Sequence, residues 1–145
     1  MTDALLLANL AATLYMTGLI WFVQIVHYPL FAGVGGDGYA RYQAKHMNRT
    51  GWVVGPAMLL ELATAILLCI VLPGAISFVG MACLGVIWLS TATLQVPTHN
   101  KLCGGFDAAL HRRLVGTNWL RTVLWSTRAG LLLYALWLRL QHGIA

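Results

Sequence analysis

Four long apolar runs, separated by shorter polar segments, dominate the pattern along the chain. They extend from about Leu5 to Leu30, Trp52 to Leu72, Ile76 to Val96 and Trp119 to Leu138. A helix needs about 20 mostly apolar residues to cross the roughly 30 Å hydrocarbon core of a bilayer. The pattern therefore predicts an all-α fold, an integral membrane four-helix bundle that forms one domain over residues 1–145.

The three connections between these runs differ in character. Pro73-Gly74 predicts a tight turn between the second and third runs. The first and third connections are longer and amphipathic, and they predict two short helices over Asp37–Arg49 and Phe106–Val115. Helices of this kind commonly lie in the membrane interface, so we expect two short amphipathic interfacial helices beside the four spans.

The composition supports a membrane protein and gives the positive charge a topological meaning. Only 9% of the residues are charged, against about a quarter in soluble domains. The net charge of +5 comes from residues scattered between apolar runs. Because no contiguous basic stripe exists, we do not expect nucleic acid as a partner.

The positions of Lys and Arg predict an orientation. Six of them lie in the first and third connections, whereas one, Arg139, follows the last run. Under the positive-inside rule these two connections are cytoplasmic and both termini lie outside the cytoplasm. We therefore expect a protein of the bacterial inner membrane. The three cysteines, Cys69, Cys83 and Cys103, are odd in number and predict small buried residues and not a disulfide framework.

Polar and ionisable residues recur inside all four predicted spans. Such residues are costly in a membrane, and each one is a candidate for function. They fall at a similar depth near the predicted cytoplasmic side, so an antiparallel bundle would gather them into one polar chamber. The residues are Gln24, His27 and Tyr28 in the first span, Glu61 in the second, Thr91, Gln95 and His99 in the third, and Asn118, Arg121, Trp125 and Arg128 in the fourth.

Three histidines and one carboxylate in this set suggest a metal site. His27, His46, Glu61 and His99 are the predicted ligands of a transition metal such as iron, copper or zinc. Mixed sites of this kind activate water or dioxygen, which predicts a membrane oxidoreductase or oxygenase acting on a small or lipophilic substrate. The candidate residues beside the metal are Arg121 and Arg128 for charge stabilisation, and Tyr28 and Gln95 for orienting ligands. No two predicted ligands share a short motif, so their convergence rests on the fold.

Two other interpretations of the same residues stay open. His27 and His99 have the depth expected of axial ligands in a b-type haem protein. Alternatively, Glu61 forms an ion pair with Arg121 or Arg128 inside a non-enzymatic accessory or transport subunit. The chain is short for a transporter, so this last interpretation carries the expectation of a homo-oligomer.

The second half of the chain resembles a known family. The segments Val96-Pro97-Thr98-His99-Asn100-Lys101-Leu102 and Asn118-Trp119-Leu120-Arg121-Thr122 are similar to those of anthrone-oxygenase-like four-helix membrane proteins. The resemblance covers roughly residues 94–133 and implies a four-helix fold and oxygenation of an aromatic or polycyclic substrate. It assigns Asn100, Asn118 and Arg121 to the site. The predicted catalytic residues are thus Tyr28, Asn118, Arg121 and Arg128, and the predicted cofactor-binding residues are Gln95, Asn100 and Trp125.

Overall fold

The computed structural model describes residues 2–142, and within them it contains four helices and no strand. The helices are α1 (Thr2–Gly33), α2 (Gly36–Val71), α3 (Ala75–Leu102) and α4 (Ala108–His142). The predicted all-α class is confirmed. The first three helices are long and apolar enough to cross a membrane. α4 has 35 residues, and its apolar stretch carries Arg121 and Arg128.

The two short amphipathic helices are not confirmed as separate elements. Asp37–Arg49 forms the first turns of α2, and the segment from Ala108 to Val115 begins α4. Only a glycine, Gly51 or Gly116, interrupts the helical pattern at each junction. A glycine costs about 1 kcal/mol relative to alanine in a helix, which is too little to end one. Each predicted amphipathic helix and the span that follows it therefore form one continuous helix.

Two wide turns distinguish α1 and α3 from regular helices. The residues Val23–His27 and Thr91–Gln95 form π-helical turns, in which Tyr28 N donates to Val23 O and Val96 N donates to Thr91 O. One residue separates the end of each turn from a proline, Pro29 in α1 and Pro97 in α3. A proline ring clashes with the carbonyl four residues earlier, and a wider turn relieves that clash. Both π-turns lie next to predicted site residues.

The four helices form a closed ring in chain order. α1 packs against α2 and α4, and α3 packs against α4 and α2. One apolar cluster, which includes Met16, Phe31 and Ile87, surrounds the half of the bundle near the first and third connections. A second cluster, which includes Leu6 and Leu132, fills the opposite half.

Large apolar side chains also cover the outside of the ring. Leu30, Ile70 and Leu89 are each more than 60% exposed. A soluble monomer rarely exposes apolar patches of this extent, so the outer surface suits a lipid environment. The polar side chains described next are directed inward instead.

Candidate functional site

The structure brings together three of the predicted metal ligands. His27 Nε2 lies 2.9 Å from His46 Nδ1, and the His46 and His99 rings have centroids 5.1 Å apart. The three histidines come from α1, α2 and α3, and Phe31 packs edge-on against all of them. The predicted convergence of these imidazoles is therefore present in the fold. We call His27, His46 and His99 the histidine cluster.

The π-turn of α1 positions the first part of this cluster. It ends at His27, and Tyr28 follows it as the first residue after the wide turn. His111 Nε2 lies 2.8 Å from Tyr28 O and so reaches it from α4. Pro29 and the π-turn alter the backbone bonding around this carbonyl, and a side-chain donor from another helix satisfies it. The backbone that carries His27 and Tyr28 is thus tied to α4.

His99 is held by hydrogen bonds at both ring nitrogens. Gln43 Nε2 lies 2.6 Å from Nδ1, and Tyr28 Oη lies 2.8 Å from Nε2. If Gln43 donates to Nδ1, then Nε2 carries the proton and donates to Tyr28 Oη. Thr50 Oγ1 contacts His46 Nδ1 at 3.1 Å, which is the same nitrogen that faces His27. His99 thus has a partner on each ring nitrogen, an arrangement that can orient a ligand histidine, whereas both of these His46 contacts are on Nδ1.

Arg121 lies beside the histidine cluster on α4. Its guanidinium donates to Asn118 Oδ1 from Nε at 3.0 Å and from Nη2 at 2.5 Å, and to Thr91 Oγ1 from Nη1 at 3.2 Å. Asn118 Nδ2 in turn donates to Gln24 Oε1 at 2.8 Å. Arg121 Nη2 also approaches Tyr28 Oη at 3.5 Å. Arg121 is 7% exposed, and none of these partners is a carboxylate, so it keeps an uncompensated positive charge.

A cavity of about 160 Å³ connects these groups. His46, His99, Tyr28, Arg121 and Trp125 line one part of it, and mostly apolar side chains from three helices line the rest. We call it the inner cavity. Pockets with apolar walls and a few convergent polar groups are the usual form of small-molecule sites. The inner cavity is accordingly suited to an apolar molecule with one polar or anionic end.

Glu61 and Arg128 form a second polar centre, separate from the histidine cluster. Arg128 Nε donates to Glu61 Oε1 at 3.0 Å, and both side chains are almost fully buried. Thr13 Oγ1 donates to Glu61 Oε1 at 2.6 Å, and Trp125 Nε1 donates to Oε2 at 3.0 Å. Arg128 Nη1 also donates to Gly80 O. The alternative interpretation of Glu61 as an ion-pair partner is the arrangement that the structure contains.

The single polar chamber expected from the sequence is thus divided in two. Arg128 lines a second cavity, of about 460 Å³, on the far side of the ion pair. The walls of this cavity are mostly apolar. Trp125 lines the inner cavity and donates to Glu61, so it stands between the two polar centres. We call the 460 Å³ space the outer cavity.

Besides Glu61 and Arg128, two further predicted site residues, Gln95 and Asn100, lie away from the histidine cluster. Gln95 accepts from Ser90 Oγ at 3.0 Å and donates to Thr117 Oγ1 at 3.3 Å, so it joins α3 to α4. The Asn100 side chain is exposed. The wide turn before Val96 explains the position of Gln95, because an extra residue in a turn changes the angular spacing that a regular helix would give.

The sequence interpretation missed several polar residues that complete these centres. Gln43 precedes His46 by three residues and shares its helix face, a spacing that could have identified it. Asn9 and Thr13 are four residues apart in the first apolar run, and both contact the ion pair. An amide and a hydroxyl inside an apolar run were the available signal for that pair.

Neither a ready-made metal site nor a similar known protein assigns a function to this chain. Over residues 2–142, no group of three or more histidine, cysteine, aspartate or glutamate side chains is arranged to hold a metal ion. No protein-family model, curated protein or solved structure matches the chain.

Proposed function

We propose that the protein is an integral membrane oxidoreductase or oxygenase whose reaction centre is the histidine cluster, with a transition metal bound by His27, His46 and His99. The observation that carries this proposal is the meeting of three imidazoles from three helices, two of which, His46 and His99, line the inner cavity. His46 and His99 are buried, His27 is half-buried, and imidazole is the commonest metal ligand among side chains.

The distances within the cluster are compatible with a shared metal. Two nitrogens that each lie about 2.1 Å from a metal are about 3 Å apart when the angle between them is near 90°. His27 Nε2 and His46 Nδ1 are 2.9 Å apart, so a bound ion would replace their mutual hydrogen bond. His99, whose ring centroid lies 5.1 Å from that of His46, would be the third ligand.

Gln43 supports a ligand role for His99. Its Oε1 is buried and has no hydrogen-bond partner among the described residues. Amide oxygen and nitrogen exchange places on a 180° rotation. Rotated in this way, Gln43 Oε1 accepts from His99 Nδ1–H, and His99 Nε2 carries a lone pair that would bind a metal in place of its hydrogen bond with Tyr28 Oη. Such a hydrogen bond from the second nitrogen is the usual partner of a ligand histidine.

The other residues of the inner cavity would act on the substrate. The cavity walls favour a small lipophilic molecule, and the uncompensated Arg121 would stabilise an anionic oxygen that develops on it. Tyr28 Oη lies between His99 and Arg121, where it can move a proton. The resemblance to anthrone-oxygenase-like proteins favours an aromatic or polycyclic substrate.

The membrane arrangement belongs to the same proposal. α4 is the fourth span, because Arg121 and Arg128 are both buried in the bundle and do not face lipid. The first and third connections are cytoplasmic, both termini are outside, and the membrane is a bacterial inner membrane. The histidine cluster then lies in the cytoplasmic half of the bundle.

A titration of the metal-free, detergent-purified protein with Co²⁺ tests the site. We expect one visible Co²⁺ absorption per chain, which His27→Ala, His46→Ala and His99→Ala each abolish. Lys45→Ala and Lys101→Ala are the matched controls, because both residues are exposed neighbours of the ligands. Equal Co²⁺ binding in the wild type and all three histidine variants would refute the site.

The ion pair favours a second candidate function, a transport subunit. Arg128 faces the outer cavity, and its partner Glu61 is linked through Trp125 to the inner cavity. A buried acid between two cavities is a common feature of proton paths. Proton flux into protein-containing vesicles that Glu61→Gln abolishes would support this candidate, and the absence of flux would exclude it.

A further inference from the structure

The outer cavity has a closed floor and an open mouth. Its volume of about 460 Å³ is that of a small-molecule site, and all four helices contribute to its walls. Asn9, Gly80 and Arg128 line it and are buried. Pro73 and Ala75 also line it, but they are exposed. The floor is therefore at the ion pair, and the mouth is at the turn between α2 and α3.

The outer cavity is long, and its walls are mostly apolar. Along α4 its lining extends from Arg128 to Arg139, a separation of eleven residues. At about 1.5 Å per residue, this separation is about 16 Å. Between the two arginines, the α4 residues that line the cavity are leucines and one alanine. A polar molecule would lose its hydration against such walls without gaining hydrogen bonds, so the body of an occupant must be apolar.

Arg128 has hydrogen-bond donors available at this floor. Its Nε donates to Glu61, and its Nη1 donates to Gly80 O. Nη1 carries a second N–H group, for which residues 2–142 provide no further acceptor. The contacts of Nη2 with Asn9 Oδ1 and Thr13 Oγ1 are both 3.4 Å long, beyond the usual range of an N–H···O bond. An oxygen atom of a molecule in the outer cavity can therefore accept from Nη1 or Nη2.

The charge at the floor decides which kind of oxygen fits. Glu61 already compensates the Arg128 guanidinium, and both side chains are almost fully buried. An anionic oxygen beside this pair would add a buried charge without a counter-charge, which is costly. A neutral carbonyl oxygen accepts from N–H donors without that cost. The floor therefore favours a neutral carbonyl group over a carboxylate or a phosphate.

We propose that the outer cavity is a second binding site, for a neutral lipophilic carbonyl compound such as a quinone. The carbonyl oxygen accepts from Arg128 at the floor, and the apolar body extends along α4 toward the mouth. This inference goes beyond the proposed function, because the site includes neither the histidine cluster nor a metal. A failure of the metal site would leave the outer cavity and its ligand unaffected, and the two proposals are tested separately.

Photolabelling of the wild-type protein in lipid nanodiscs locates the site. The probe is a short-chain azido-ubiquinone, and the labelled residues are mapped by mass spectrometry. We expect saturable labelling of Leu131, Leu132 or Ala135, which line the outer cavity. Unlabelled decylubiquinone should displace the probe, whereas decanoate, which has an anionic head, should not. Labelling confined to the inner cavity, labelling that does not saturate, or equal displacement by decanoate would overturn the proposal.

Cavity-filling variants provide a second test. Ala135→Phe and Ala65→Phe place a ring in the outer cavity from α4 and α2, and each should lower saturable labelling at least about tenfold. The matched controls are Val54→Phe in the inner cavity and Ala82→Phe on the exposed face of α3, and both should label like the wild type. Unchanged labelling in both outer-cavity variants, or its loss in Val54→Phe alone, would contradict the site. If a filled variant does not fold, the displacement experiment on the wild type decides.

Discussion

Most polar side chains inside the bundle have specific partners, and the Glu61–Arg128 pair is the most heavily bonded of them. Glu61 accepts from Thr13, Trp125 and Arg128, which come from α1 and α4. Arg128 also reaches α3 through Gly80 O. One carboxylate and one guanidinium therefore connect all four helices. The cost of burying two charges is met only because nearly every donor and acceptor has a partner.

Breaking this pair should destabilise the protein strongly. Glu61→Gln keeps the size of the side chain but leaves the Arg128 charge buried without a counter-charge, a change that costs about 3–5 kcal/mol. The free energy of unfolding in mixed detergent with rising dodecyl sulfate measures the effect. Asp3→Asn is the control, because it breaks the exposed Asp3–Arg139 pair at 3.5 Å, which contributes at most about 1 kcal/mol. Similar stabilities for the two variants would contradict the proposed role of the ion pair.

At the scale of elements, the apolar runs and the Pro73-Gly74 turn were sufficient to predict four helices. The same pattern did not predict that α2 and α4 continue through Gly51 and Gly116, because helix breaking by a glycine depends on the packing around it. It also did not predict the π-turns. Proline indicates a local disturbance, but whether a helix kinks, ends or widens depends on the groups that satisfy its backbone.

The sequence predicted only in part which side chains meet at the site, because it did not predict the π-turns. Depth along a span follows from residue number, so His27 and His99 could be expected near one end of the bundle. The direction of each side chain depends on helix rotation, which a single extra residue changes by about 100°. Thr91 and His99 reach the inner cavity as expected, whereas Gln95 is directed to Ser90 and Thr117.

The π-turn in α3 predicts an unusual tolerance to deletion. Removing the exposed Ala92 from Thr91–Gln95 should convert the wide turn to a regular α-helical turn and keep His99 near its place, because a π-turn holds one extra residue. Removing Ala82 from the regular part of α3 should rotate the residues on one side by about 100° and disrupt the bundle. Folded yield by size exclusion and Co²⁺ binding measure both effects. Equal loss in the two deletion variants would contradict this account of the turn.

At the scale of the whole molecule, the inward polar groups and outward apolar side chains together give a membrane topology. In the proposed orientation, the Lys- and Arg-bearing first and third connections are cytoplasmic, so the histidine cluster would lie near the cytoplasm and the outer cavity in the opposite half of the bundle.

Sandwich fusions to alkaline phosphatase test this orientation. An insertion at Gly74, between α2 and α3, should be active because the enzyme functions outside the cytoplasm. An insertion at Gly105, between α3 and α4, should be inactive, and a fluorescent protein at the same position should be bright. The reverse pattern would show that the positive-inside rule assigns the wrong side to this chain.

The measurement that tests the central claim most directly is elemental analysis of the detergent-purified wild-type protein, with an absorption spectrum of the same sample. The account predicts about one transition metal ion per chain and no Soret band. His46→Ala should lose that metal, and Lys45→Ala should keep it. A stoichiometric Soret band would instead assign the histidines to haem. A folded wild-type protein that contains neither metal nor pigment, and takes up none, would contradict the proposed reaction centre.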